Sequence, residues 1–286
     1  MRTNVDRPLK TARILSITLA VFMALSGCRG KGGATGAPAS PAAPASPASL
    51  DYPIRPVPFT DVQLADSFWA PRLETNRMVS VPYALRMNEE TGRVDNFRKA
   101  ARLMTGPHQG RRFNDSDVYK AMEAVAYTLR LHPDPALEKT LDDLIALIAQ
   151  AQEPDGYLYT VLTIGGPPPQ PWLGKERWSH LYMSHELYNL GHLYEAAAAY
   201  FQATFKKNLL AIAVKSADLV AREFGPGKRT NPPGHEEIEI GLVKLYRVTG
   251  TRKYLDLAKF FIDARGRTEG RIPYENDGRT ELLYGE

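Results

Sequence analysis

The chain has one cysteine, Cys28. Past that position it can build no disulfide, no cysteine-held metal site and no thiol nucleophile. Charge of one sign is scarce too: four bases (Arg2, Arg7, Lys10, Arg13) and one acid (Asp6) fall in the first 28 residues, which leaves the rest close to neutral despite a formal +4. That removes the case for a nucleic-acid partner. Long apolar runs are missing. The stretch Ile14 to Leu25 is too short for a comfortable membrane span. Segments that alternate with period two are almost absent, which leaves helices as the building material.

What is present begins with an export signal: a basic start, that apolar stretch, then Leu25-Ser26-Gly27-Cys28. The last four residues resemble the bacterial lipobox, whose cysteine is lipidated and becomes the first residue of the mature protein. Residues 1–28 are therefore expected to be a lipoprotein signal peptide, with Cys28 the lipidation site and the product exported and anchored to a membrane, periplasmic or at the cell surface. A plain signal peptide with a chance cysteine is the alternative. Residues 29–52, a Pro/Ala/Ser/Gly tract with no apolar period to bury, read as a disordered tether. Residues 53–286 remain for the folded domain.

The segment 178–205 carries the longest uninterrupted helical pattern. Leu181, Leu187, Leu190, Leu193, Tyr194, Ala197 and Phe201 follow the three-to-four spacing of a buried face. His185, Tyr188, Asn189, His192 and Glu195 keep the same period on a second, polar stripe. Such a helix can line a cavity, or its histidines can be ordinary core imidazoles bonded to nearby carbonyls. Whether His192 and Glu195 serve function or structure is open at this point. Around that segment the pattern predicts pairs: 116–131 with 135–152, 178–205 with 207–224, 235–248 with 252–264, each pair joined by a short turn. Shorter helices are expected at 80–90 and 96–104. Val57 to Trp69 reads as a short strand or extended arm, with Trp69 as a packing anchor. Helix pairs that cannot bury their inner faces alone must stack, and a curved double layer fits better than a regular repeat.

In that arrangement the loops before the first helix of each pair share one rim, which collects Asp115 to Asp117, Trp178 to His185 and Gly234-His235-Glu236. Aromatic rings for the apolar face of a sugar and fixed polar groups for its hydroxyls are what a carbohydrate pocket needs. Asn114 to Asp117 also read as a helix cap. His185, His235, Asp117 and Glu186 are the candidate substrate-binding residues. A two-carboxylate glycosidase using Glu186, Glu236 or Glu239 is a minor alternative. A zinc-protease reading of His185-Glu186 fails, because the next histidine is seven residues on.

Four blocks then carry a resemblance: Phe113-Asn114-Asp115-Ser116-Asp117-Val118-Tyr119-Lys120; Gln152-Glu153-Pro154-Asp155-Gly156-Tyr157-Leu158; Ser184-His185-Glu186-Leu187-Tyr188 with Gly191-His192-Leu193; and Gly234-His235-Glu236-Glu237-Ile238-Glu239. In order and spacing they resemble the beta-L-arabinofuranosidases of glycoside hydrolase family 127. The resemblance implies an all-α fold, an (α/α)6 barrel of which about the N-terminal half is present after a short extended arm. It implies removal of terminal L-arabinofuranose from a glycan with retention of configuration. His185 and His235 match the family's sugar-contacting histidines. The family's zinc-bound cysteine nucleophile, its zinc ligands and its acid/base glutamate lie beyond the matched region, so no cofactor is expected in this chain, though zinc is for the full-length family. The chain is accordingly expected to be an inactive piece of a longer enzyme, with an exposed apolar barrel edge liable to association. The alternative is a lipid-anchored helical module that binds glycans without cleaving them.

Overall fold

The computed structural model describes residues 56–165, 173–174, 176–265 and 267. The signal peptide, the lipobox with Cys28, the tether and the proline-rich 167–171 stretch lie outside the described residues. Eleven helices follow one another: α1 (Trp69–Thr75), α2 (Val81–Glu90), α3 (Arg93–Ala100), α4 (Asn114–Leu131), α5 (Pro135–Ala151), α6 (Thr160–Ile164), α7 (Leu181–Ser184), α8 (Glu186–Thr204), α9 (Asn208–Glu223), α10 (Glu237–Thr249) and α11 (Arg252–Ala264). No strand occurs among the described residues; an isolated bridge joins Phe224 and Arg229. None of these helices is long and apolar enough to cross a membrane.

The arrangement follows from which faces are apolar. In α4, Val118, Met122, Val125 and Leu129 are buried at three- and four-residue intervals, a stripe that must meet a partner. It meets α8, which packs between α4 and α10. Because α8 has neighbours on both flanks and α9 behind, the run Ala196 to Ala199 is buried all round. Small side chains let those neighbours approach. At Gly191 the approach is at its limit: a Cβ there would lie 2.5 Å from the Glu237 carbonyl oxygen of α10. The second helices of the pairs, α5, α9 and α11, pack behind α4, α8 and α10 and on one another. Three pairs in two layers make an all-α toroidal wall, the architecture expected from the pairing.

Local signals mark two of the boundaries. Asp134 accepts from the N–H groups of Ala136 (3.0 Å) and Leu137 (3.1 Å), and Pro135 sits at the first helical position, a cap worth about 1 kcal/mol. Gly250, at φ +70°, closes α10.

Three expectations are corrected. The segment 178–205 is two helices, because His185 takes a left-handed φ of +64° between α7 and α8. The 57–69 arm forms no strand; it has one short 3-10 turn, Phe59–Asp61. Its anchor is Phe59, edge-on to Tyr127 at 4.9 Å, with Arg130 bonded to the Thr60 carbonyl at 2.7 Å; Trp69 is 56% exposed. The helix expected at 80–90 is present as α2, with Ser80 at its N-cap position, and α1 runs into it through a π-turn, Asn76–Ser80. Ile240 and Ile262 are exposed on the last helices, while Leu64, Phe68, Trp69, Met78, Val79 and Tyr83 form a longer exposed apolar series at the first ones.

Candidate functional site

The break at His185 is built by a buried carboxylate. Glu186 is 1% exposed. It accepts from Tyr157 Oη at 2.6 Å, from Trp178 N at 3.1 Å and from Ser184 Oγ at 3.1 Å. Trp178 and His185 both hold positive φ, +66° and +64°, a strain of about 1–3 kcal/mol each for residues with a Cβ. The shared carboxylate ties both turns together, and burial lifts its pKa to about 7. Sequence reasoning placed Glu186 in the pocket; the structure puts its oxygens inside the protein, bonded to these donors, where it orients His185.

His185 thereby leaves the helix and meets His235, with their Nε2 atoms 3.1 Å apart. The loop before α10 delivers His235. Arg265 grips that loop, donating to the carbonyls of Pro233 (2.8 Å) and His235 (2.9 Å) and to Glu239 (2.8 Å). A Cβ on Gly234 would come within 2.3 Å of the Tyr182 carbonyl oxygen, so the loop sits against the chain before His185 as only glycine allows. Rings surround the pair: Phe113 lies 5.4 Å from His185, and Tyr188 lies 5.4 Å from His185 and 5.2 Å from His235.

Electrostatics keep His185 neutral. Burial, with Arg112 and His235 adding to it, lowers its pKa to about 4. Its Nδ1 lies 2.7 Å from the Met183 carbonyl, which can only accept, and 3.3 Å from Arg112 Nε, which can only donate; the shorter contact places the proton on Nδ1. Nε2 is then an acceptor facing His235. A neutral acceptor beside a second imidazole, walled by aromatic rings, can hold hydroxyl groups.

Below the pair, a ladder of polar groups crosses α4, α8 and α10. Lys120 Nζ donates to Tyr188 Oη at 2.7 Å, and Tyr188 stands edge-on to His192 at 4.6 Å. His192 Nδ1 lies 3.0 Å from Glu237 and 3.4 Å from Glu195. Lys244 then pairs with Glu195 and with Glu123. Burial opposes charge on His192, but the two carboxylates outweigh it and lift its pKa to about 9. His192, Glu195 and Glu237 hold three metal-ligating atoms within 4.8 Å of one another; Lys244 and the imidazolium already supply the positive charge those carboxylates need.

The other candidates lie apart from the histidine pair. Asp117 pairs with Arg93 Nε at 2.6 Å, in a separate cleft. Asp115 is buried and accepts from Thr160 N (2.8 Å) and Thr160 Oγ1 (2.6 Å); burial raises its pKa to about 6, outweighing those bonds, which lower it. Neither caps α4: that helix has no side-chain cap, and its Ser116 N–H donates to Asn189 Oδ1 at 3.1 Å. Sequence reasoning gave no role to Arg112, Phe113, Lys120, Glu237 or Lys244.

The zinc that the family resemblance implies needs cysteine thiolates. The described residues contain none, and the histidine pair is flanked by Arg112 (3.3 Å from His185 Nδ1) and, through Tyr188, by Lys120, surroundings that disfavour a dication. These residues do not fit that centre.

Comparison with known proteins gives the family. Residues 61–283 match the family described as beta-L-arabinofuranosidase, GH127 catalytic domain. A non-reducing end beta-L-arabinofuranosidase of Bifidobacterium longum subsp. longum is 44% identical over 176 residues, which are 61% of this chain and 26% of that protein. A solved GH127 beta-arabinofuranosidase superposes with a TM-score of 0.71 at 49% identity, covering 76% of this chain and 36% of the other. A GH127 beta-L-arabinofuranosidase from Geobacillus stearothermophilus T6 gives 0.69 at 41%, covering 78% and 34%. The chain thus spans 26% to 36% of the length of these relatives.

Proposed function

Because the chain belongs to the family of GH127 beta-L-arabinofuranosidase catalytic domains, we propose that His185 and His235 hold the terminal L-arabinofuranose of a glycan. The observation that carries this is the facing pair of imidazoles, Nε2 to Nε2 at 3.1 Å, between the rings of Phe113 and Tyr188. A furanose offers hydroxyls on its rim and C–H groups on its face. A sugar hydroxyl takes the place of the direct imidazole contact: it donates to the Nε2 of neutral His185 while another hydroxyl accepts from the Nε2–H of His235, and the rings cover the C–H face. The substrate class, a non-reducing-end arabinofuranoside cleaved with retention, is carried over from the family and from the Bifidobacterium relative's name.

From this chain by itself we expect binding without turnover, since its one cysteine is the Cys28 of the export signal. Lipid anchoring outside the cytoplasm, by way of Leu25 to Cys28, is part of the same proposal. Cys28→Ser should abolish incorporation of labelled fatty acid.

The test is calorimetric binding of methyl β-L-arabinofuranoside to the chain and to His185→Ala and His235→Ala. Each variant should bind at least about tenfold more weakly, about 1.4 kcal/mol, with helical circular dichroism unchanged. Undiminished binding would remove the histidines from the site. Loss of the helical signal would make them packing residues.

A further inference from the structure

Lys120 is a cation set among cations. Lys244, on the same polar ladder, pairs with Glu123 and Glu195; among the described residues no carboxylate pairs with the Lys120 ammonium. Its charge instead works against protonation of both His185 and His192. Like charges with no counter-ion between them repel, so ion pairing does not account for a lysine at this place.

What the ammonium does hold is the pair of rings beside the histidines. Nζ donates to Tyr188 Oη at 2.7 Å. Burial opposes ionisation of that phenol, and the Lys120 bond and charge outweigh it and lower its pKa, as expected of a charge-assisted contact. The Tyr188 ring stands 5.4 Å from His185, 5.2 Å from His235 and 4.6 Å from His192. A tyrosine can turn about χ1 and χ2, and a bond at its far oxygen removes both freedoms. Nζ also lies 3.3 Å from Ser116 Oγ, which donates to the Phe113 carbonyl at 2.8 Å. Phe113 is the other ring beside His185, at 5.4 Å. One ammonium on α4 thus reaches both aromatic walls.

We propose that Lys120 is a positioning residue for sugar binding: it holds the two rings that flank the histidine pair, Tyr188 directly and Phe113 by way of Ser116. The inference rests on the histidine pair holding the terminal sugar. A ring that is ordered before the sugar arrives does not have to be ordered by it, and affinity gains by that difference. The unpaired charge is then a stability cost kept for function.

The test uses the intact chain, Lys120→Met, Tyr188→Phe and the double variant. Lys120 is exposed, so methionine fits without strain, and Tyr188→Phe keeps the ring while removing the acceptor. In calorimetric titration with methyl β-L-arabinofuranoside, Lys120→Met should bind about three- to tenfold more weakly. The double variant should bind no more weakly than Lys120→Met, because the lysine acts through the tyrosine. The urea midpoint of Lys120→Met should not fall. By NMR, His185 should titrate at a higher pH in Lys120→Met than in wild type, since Arg112, His235 and Tyr188 are then the groups left facing it. Undiminished binding in Lys120→Met, additive losses in the double variant, or weaker binding with a lower urea midpoint would overturn the positioning role and leave the histidine reading intact. So would a His185 titration that stays in place. Failure of wild type to bind the sugar would overturn the histidine reading, and the role of Lys120 with it.

Discussion

His185 and His192 stand seven residues apart, and their periodicity alone makes them look equivalent. The structure treats them oppositely. His185 sits in a left-handed turn before α8, its Nδ1 on a backbone carbonyl and cations nearby, and its pKa falls to about 4. His192 lies two turns into the helix against Glu195 and Glu237, and its pKa rises to about 9 despite burial. One is a neutral acceptor facing outward to His235; the other is a cation locked between helices. Residue type and spacing set where an imidazole can be, and the neighbours brought by other segments set what it is.

The contrast can be broken from either side, and the largest effect should come from beneath His185. Glu186→Ala leaves the Tyr157, Trp178 and Ser184 donors without their acceptor and releases two strained turns. Urea unfolding should show a loss of about 3–5 kcal/mol, from about 1–3 kcal/mol for each buried donor left unsatisfied, less the strain released. Next is Gly191→Ala, which forces α10 away from α8 at the Glu237 carbonyl. The expected cost is about 1–3 kcal/mol by the same assay, and His192 should titrate closer to its ordinary value as Glu237 retreats.

A milder perturbation addresses the charge itself. The folded-state pKa of His192 lies above its unfolded value of about 6.5, so its contribution to stability is complete below that value and is lost as pH rises through about 9. The melting temperature of the wild type should therefore fall between pH 7 and pH 10. In Glu195→Gln/Glu237→Gln that fall should largely disappear. His185 has the opposite sign: its depressed pKa favours the fold above about 6.5, and that advantage goes as pH falls through about 4. Sugar affinity should accordingly be flat from pH 8 to pH 6 and drop toward pH 4. The smallest effect belongs to a pair outside both environments. Lys139→Ala breaks an exposed pair with Asp143 and should change stability by less than about 1 kcal/mol.

The helix pairs were legible because apolar residues recur at helical intervals between Gly and Pro punctuation. Pro135 after Asp134 and Gly250 after Thr249 mark boundaries that the structure keeps. The break at His185 was not legible, because neither Gly nor Pro announces it: a non-glycine residue is held at positive φ by a carboxylate whose other partners come from Tyr157 and Trp178. For the same reason Glu186 looked like a pocket residue. A carboxylate beside a histidine has no sequence mark that tells a sugar contact from a brace. The partnership of Lys120 with Tyr188 spans 68 positions and exists only once α4 and α8 pack. Trp69 looked like an anchor by size; Phe59 holds that role because it reaches Tyr127. Of the site, the helix pairing put His185 and His235 on one rim and the family resemblance matched both, and the structure brings those two together.

The most direct test of the account follows the imidazole nitrogens of His185, His235 and His192 by NMR while methyl β-L-arabinofuranoside is added to the intact chain. His185 and His235 should shift together and saturably, with His185 neutral throughout at pH 7, while His192 stays protonated and unmoved. A His185 and His235 pair that ignores the sugar, or a His192 that responds as strongly as they do, would contradict it.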